Sequence, residues 1–354
     1  MRRVLERFFM VFHHIPPRKR PDGAARVASR PGILLLNLGT PDDTGYRSVR
    51  RYLSEFLSDR RVIEGSPVLW QPILQGIVLT VRPGKSGKAY ERIWDKARNE
   101  SPLRGYTRSQ SEALAQRFAA EDVPVTWAMR YGKPSVAVGL KELMEHGCDR
   151  ILVMPLYPQY SATTTATAND QFFRVLMKVR NQPAIRTLPA FPDHPAYIDA
   201  LAASIQDGVA HLPTPPQMIV VSFHGLPQEY VDKGDSYQAD CIRTMEALRT
   251  KLGMTAETLV LTFQSRFGPT QWLEPYTAPF VEALPEKGVK NIAVITPGFM
   301  ADCIETLDEI GNEVRDEFLA KGGETFTLIP CLNDSPACID LLEQLARQEL
   351  SGWL

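Results

Sequence analysis

His224 stands in Ser-Phe-His-Gly-Leu-Pro, directly after the apolar run Met218–Phe223. Gly225 lets the backbone turn sharply there, and Pro227 stiffens the exit. Imidazole titrates near neutrality, so a histidine at a strand end can accept a proton or ligate a metal ion. A loop histidine bonded to backbone is the plain alternative. Residues 302–317 read DCIETLDEIGNEVRDE, with seven acids and one arginine. At about 100° per residue, Asp302, Glu305, Glu309, Glu313 and Asp316 share one arc, with Ile304, Leu307, Ile310, Val314 and Phe318 opposite. The spacing predicts an amphipathic helix with a purely acidic stripe. A solvated face usually mixes in Lys or Arg at i+4 to relieve repulsion, and this stripe has neither. Oxygen ligands beside a lone imidazole suit a labile divalent ion; a plain solvated face remains the competing reading.

Residues 66–81 read SPVLWQPILQGIVLTV, with Leu69, Trp70, Ile73, Leu74, Ile77, Val78 and Val81 at helical spacing. The segment is too short to span a membrane but suits a cleft lip or an interfacial helix, as well as an ordinary core helix. Arg82, Lys85, Lys88, Arg92, Lys96 and Arg98 follow it. An apolar lip beside a basic cluster fits a flat apolar ligand with carboxylate tails, or an anionic membrane surface. Other chemistries are excluded. No GxGxxG follows the first strand, HExxH and GxSxG are missing, and Leu79 stands where a P-loop ending at Gly84-Lys85-Ser86 needs glycine. The six histidines include no pair at helix-face spacing for a tight three-histidine metal site.

These residues need a scaffold. Eight β-rich runs are expected as strands: Ile33–Leu38, Val123–Met129, Ile151–Leu156, Ile185–Leu188, Met218–Phe223, Leu259–Phe263, Ile292–Thr296 and Phe326–Ile329. Amphipathic helical patterns lie between most of them, which argues α/β with parallel sheets covered on both faces. The runs divide four and four near Pro189–Pro195. Two similar domains are expected, 31–190 and 191–330, with a C-terminal helix in 331–354 packing back. Unusual polar sequence follows six of the strands, and open α/β sheets bind ligands at that edge. A cleft between the domains follows.

Bulk properties agree with a globular protein. The chain has 354 residues, 44% hydrophobic and 23% charged, with net charge −1. That balance excludes a polybasic nucleic-acid binder. Five cysteines without CxxC spacing argue against a disulfide framework and for a reducing, cytoplasmic setting. Residues 1–30 carry eight Arg or Lys against Glu6 and Asp22 and are expected as a basic tail. Glu6 and Arg7 interrupt the apolar run that would make a signal sequence.

Taken together, LLLNLGTPD (34–42), FLSDRRVIE (56–64), SPLRGY (101–106), MRYGKP (129–134), LYPQYSATTT (156–165), SFHGLPQEYVDKGDSY (222–237), TFQSRFG (262–268) and PGFMADCIETLDEI (297–310) resemble the ferrochelatase family, bacterial type. The resemblance runs from about Gly32 to about Leu350. It implies two similar Rossmann-like domains and insertion of ferrous iron into protoporphyrin IX, the last step of protoheme synthesis. His224 is then the proton acceptor and iron ligand, with Glu305 opposite, and Asp302, Glu309 and Glu313 form an acidic path. Arg130, Tyr131, Ser101, Tyr90, Tyr160, Arg82, Lys85 and Ile63 carry over as porphyrin-binding. No organic cofactor is implied, and iron is substrate. Some members bind a 2Fe–2S cluster through a cysteine where this chain has Ala162, with a Cys-rich C-terminal tail; neither is present, so no cluster is expected. Peripheral contact of the lip with the inner membrane is expected, and no nucleic-acid partner. A chelatase for coproporphyrin III or a corrinoid precursor, and a non-catalytic tetrapyrrole or metal carrier, are the alternatives.

Overall fold

The computed structural model describes residues 29–354. The expected basic tail therefore lies outside the described residues, except for Ser29 and Arg30. All eight expected strands are present: β1 Pro31–Thr40, β2 Val125–Gly132, β3 Arg150–Pro155, β4 Ala184–Thr187, β5 Met218–His224, β6 Leu259–Gln264, β7 Asn291–Ile295 and β8 Thr325–Leu328. They form two four-stranded sheets, ordered β2-β1-β3-β4 and β6-β5-β7-β8. Every pairing is parallel, and both halves repeat one strand order. The second strand begins two residues later than expected, just after Pro124, whose nitrogen has no hydrogen to give the ladder.

The helices are α1 Tyr46–Leu57, α2 Pro67–Ile73, α3 Leu79–Ile93, α4 Pro102–Arg117, α5 Val136–Glu145 and α6 Thr167–Leu176 in the first half. The second half adds α7 Pro195–Ala210, α8 Gln228–Asp232, α9 Tyr237–Leu252, α10 Thr277–Glu282, α11 Arg315–Ala320 and α12 Pro336–Glu349. Side chains alternate along each strand, so β1 sends Ile33 and Leu35 to one core and Leu34 and Leu36 to another. Both faces being buried explains the unbroken apolar strands. The first of these cores also holds Ile219, Val221 and Phe223 of β5 and Leu341, Leu342 and Leu345 of α12, so it is shared between the two sheets. Helix α12 packs against α4, α7 and β3.

The lip departs from the expected single helix face. Helix α2, a π-helical turn Leu74–Val78 and α3 run on without a break. Leu74 and Leu79 are fully buried against Val49, Leu53 and Tyr90, while Leu69 is 71% and Val81 73% exposed. Ile73 and Ile77 are exposed too. The segment is apolar on two faces: one belongs to the core and the other meets solvent. Gly84-Lys85-Ser86 lies inside α3, on a helix rather than a phosphate-binding loop.

Candidate active site

Strand β5 carries His224 to the edge of its sheet, in register with Gln264 of β6. A Cβ at Gly225 would stand 2.6 Å from the Gln264 carbonyl oxygen, so only glycine fits that turn. Nδ1 of His224 lies 2.6 Å from the Gly225 carbonyl oxygen. A carbonyl can only accept, so Nδ1 carries a proton, and in the neutral ring Nε2 is the nitrogen with the free lone pair. The half-buried ring has Phe299 beside it, centroids 6.4 Å apart.

The acidic segment is a π-helix over Glu305–Val314, continued by α11. Its i→i+5 turns are wider than α-helical ones, so the expected 100° step does not hold. Residues four apart now fall almost in line, which keeps Glu305, Glu309 and Glu313 together. Asp308 turns inward and is buried. The relief the stripe lacks in its own sequence comes from α3. Arg92 grips Asp308 with Nε 2.6 Å from Oδ1, and its Nη2 reaches Glu313 at 3.4 Å.

The three glutamates differ in setting. Glu309 accepts from the Ser265 N–H at 2.7 Å, from the Ser265 hydroxyl, and from Gln264 Nε2 at 3.3 Å. Burial pushes its carboxyl up. The Ser265 bonds and the charge of His224 pull back, neighbouring Glu305 pushes further, and the net direction is upward. Ser265 sits at φ 65°, in the left-handed region that non-glycine residues seldom occupy. Glu305 is half-buried, and its carbonyl accepts from Gln264 Nε2 at 2.8 Å. Glu313 is exposed. Asp302 is buried and engaged: it accepts from Asn333 Nδ2 at 2.7 Å and from the Thr306 hydroxyl at 2.9 Å. Among the described residues, no three His, Cys, Asp or Glu gather closely enough to hold a metal ion.

Across from the π-helix stand Tyr90 and Tyr52, edge to face with centroids 6.5 Å apart. The Tyr52 hydroxyl donates to the Gly39 carbonyl at 3.1 Å. Burial pushes both phenols up, and the nearby Glu305 charge adds to it. Arg82 lies over the Phe267 ring at 5.0 Å, so the lip meets the loop after β6 from the other half. Burial lowers the pKa of its guanidinium, while Glu305 opposes this. Lys85 is exposed; Ile63 and Tyr160 are half-buried. Arg130 and Tyr131 lie deeper. Arg130 pairs with buried Asp59 and donates to the Thr167 hydroxyl at 2.7 Å; the Tyr131 hydroxyl donates to Asp59 at 2.8 Å. Burial alone would raise the Asp59 carboxyl, but bonds from Thr167 and the Arg61 N–H and the Arg130 charge hold it below its ordinary value. Ser101 is buried and caps α4, accepting from the Arg104 N–H at 3.3 Å.

Tyr52, Asp59, Gln264 and Ser265 were not among the expected site residues. The segments FLSDRR and TFQSRFG point to three of them, but only the fold shows which atoms they hold.

The model of the family described as Ferrochelatase matches residues 30–350. A ferrochelatase of Gluconobacter oxydans is 62% identical over 344 residues, covering 97% of this chain and 99% of its own. One of Brucella ovis is 56% identical over 324 residues, covering 91% and 92%. Among solved structures, SirB from Bacillus subtilis with Fe3+ superposes with TM-score 0.54 at 12% identity, covering 92% of this chain and 98% of that one. At that identity it speaks for the paired-sheet, Rossmann-like fold alone. Sequence likeness extends over both sheets and over the segments that carry His224 and Glu305, and on that ground the chain belongs to the ferrochelatase family.

Proposed function

We propose that His224 and Glu305 flank the ring as this enzyme inserts ferrous iron into protoporphyrin IX to give protoheme. Metallation removes two pyrrole N–H protons and places one divalent ion among four nitrogens. The Nε2 lone pair of His224 takes up a proton and can meet the iron. Glu305 faces it, and Glu309, held by Ser265 and Gln264, passes protons or the cation onward to Glu313. A loose set of oxygen ligands suits a metal that must leave for the ring. Asp302 supports the path from behind by fixing the start of the π-helix. Tyr90, Arg82, Lys85, Ile63 and Tyr160 bear on the porphyrin, with Arg130, Tyr131 and Ser101 stiffening the wall. A shaped apolar clamp that bends the ring presents its lone pairs, which uses binding energy toward the transition state. No organic cofactor takes part. With Ala162 at the position discussed above, no 2Fe–2S cluster is built; stoichiometric acid-labile sulfide in purified protein would refute this.

The exposed Leu69, Ile73, Ile77 and Val81 rest against the cytoplasmic membrane surface, which supplies the apolar substrate. No helix among the described residues is long and apolar enough to cross a membrane, so the contact is peripheral.

The observation carrying this reading is the His224 ring, held through Nδ1 by the Gly225 carbonyl, in electrostatic reach of the Glu305–Glu309 pair. Its test is loss of free-base fluorescence when the protein meets Fe2+ or Zn2+ with protoporphyrin IX or coproporphyrin III. His224→Ala should slow metallation about 100-fold or more while porphyrin affinity stays within about threefold. Near wild-type turnover would overturn the assignment, and faster metallation of coproporphyrin would overturn the substrate.

A further inference from the structure

A cavity of about 1090 Å³ lies between α1, the 58–64 loop and α6. None of His224, Glu305, Glu309 or the lip side chains lines it. Six guanidinium groups do: Arg50, Arg51, Arg60, Arg61, Arg130 and Arg174. Four carboxylates face them, and these are already committed. Asp59 is taken by Arg130 and the Tyr131 and Thr167 hydroxyls. Asp170 is shared by Arg61 at 2.9 Å and Arg174 at 3.8 Å. Glu64 is turned to Lys233 at 2.8 Å, and Glu55 accepts from the Gly132 N–H at 3.1 Å. Arg51 reaches Asp42, which already serves Arg104 and Lys133. Arg50 meets only the neutral Gln75 amide at 3.0 Å, and Arg60 makes no ion pair among the described residues.

Six guanidinium groups against four carboxylates leave the hollow with an excess of positive charge, and among the described residues Arg50 and Arg60 have no carboxylate partner. This arrangement focuses positive potential inside a concave wall. Guanidinium forks match the oxygens of carboxylate and phosphate in two-point contacts. We propose that this cavity binds a small, multiply charged oxyanion, held by Arg50, Arg60, Arg61 and Arg174. The shared chemistry is a cluster of carboxylate or phosphate oxygens. The proposal needs nothing from the metallation chemistry, so either can fail without the other.

Calorimetric titration of the full chain with citrate and with pyrophosphate, at low and at physiological salt, tests it. The expected result is one site per chain for at least one probe, weakening as salt rises; the tighter probe tells carboxylate from phosphate. The double variant Arg50→Ala/Arg60→Ala and the single variant Arg174→Ala should each bind at least tenfold more weakly. Arg117→Ala, whose partners Asp340 and Glu343 lie elsewhere, should bind as wild type. Arg60→Ala alone removes an exposed, unpaired side chain, so it keeps the fold and should still weaken binding severalfold. No heat from either probe in the wild type, or wild-type affinity in the Arg60 variants, overturns the proposal.

Discussion

Glu309 is held by two Ser265 donors yet has its carboxyl pushed up from the ordinary range by burial and by Glu305. A group whose folded pKa is raised favours the fold below its unfolded value, and that favour is lost as pH rises through the folded value. Glu309→Gln keeps the shape and cannot ionise. Its melting temperature should match or trail the wild type near pH 4 and exceed it by about 1–3 °C at pH 7, with metallation slowed and porphyrin affinity unchanged. Melts and steady-state rates across that range check both halves; full activity in a stabilised variant would leave Glu309 a bystander. His224 and the acidic segment around Glu305 could be singled out because residue type and spacing name a chemistry; their roles are those proposed above. Ser265 was not, since a left-handed φ at a serine leaves no mark in composition, and Tyr52 acts through a backbone carbonyl brought to it by β1. Asp59 stayed hidden because its partners, Arg130, Tyr131 and Thr167, are remote in sequence and meet it only when the turn after α1, β2 and α6 assemble.

The strands and most helices could be read because apolar runs and helical periodicity report burial directly. The acidic segment could not be read fully, because an α-helical period was assumed where π-helical turns occur and because its counter-charge, Arg92, comes from α3. Removing Arg92 strands a carboxylate that is almost fully buried. Arg92→Ala should therefore cost about 1–3 kcal/mol, less than for a fully buried pair because the arginine is half exposed. Lys321→Ala, which breaks a solvent-exposed pair with Glu282, should leave stability nearly unchanged. Denaturant unfolding compares the two, and equal effects would show that Asp308 does not depend on α3. The two-faced lip allows a similar contrast. Leu74→Ala should cost about 2–5 kcal/mol, whereas Ile77→Asp should leave stability nearly unchanged while reducing sedimentation with anionic vesicles. Unaltered vesicle binding by Ile77→Asp would remove the membrane from the proposed function.

On the scale of the molecule, the repeated strand order suggests two separable units, but the packing does not divide there. One apolar core is lined by β1 and β3 from one sheet and by β5, β6 and β7 from the other. Heating should therefore give a single cooperative transition, with calorimetric and van't Hoff enthalpies in agreement; two resolved transitions would contradict a shared core. Two further connections cross the divide. Helix α12 lies over α4 and β3, and α3 reaches the opposite half twice, through Arg82 on Phe267 and Arg92 on Asp308. The two halves are thus joined like a jaw stitched along its back and tied at its mouth. On the proposed function, a flat ring would then enter edge-on, as a coin enters a slot.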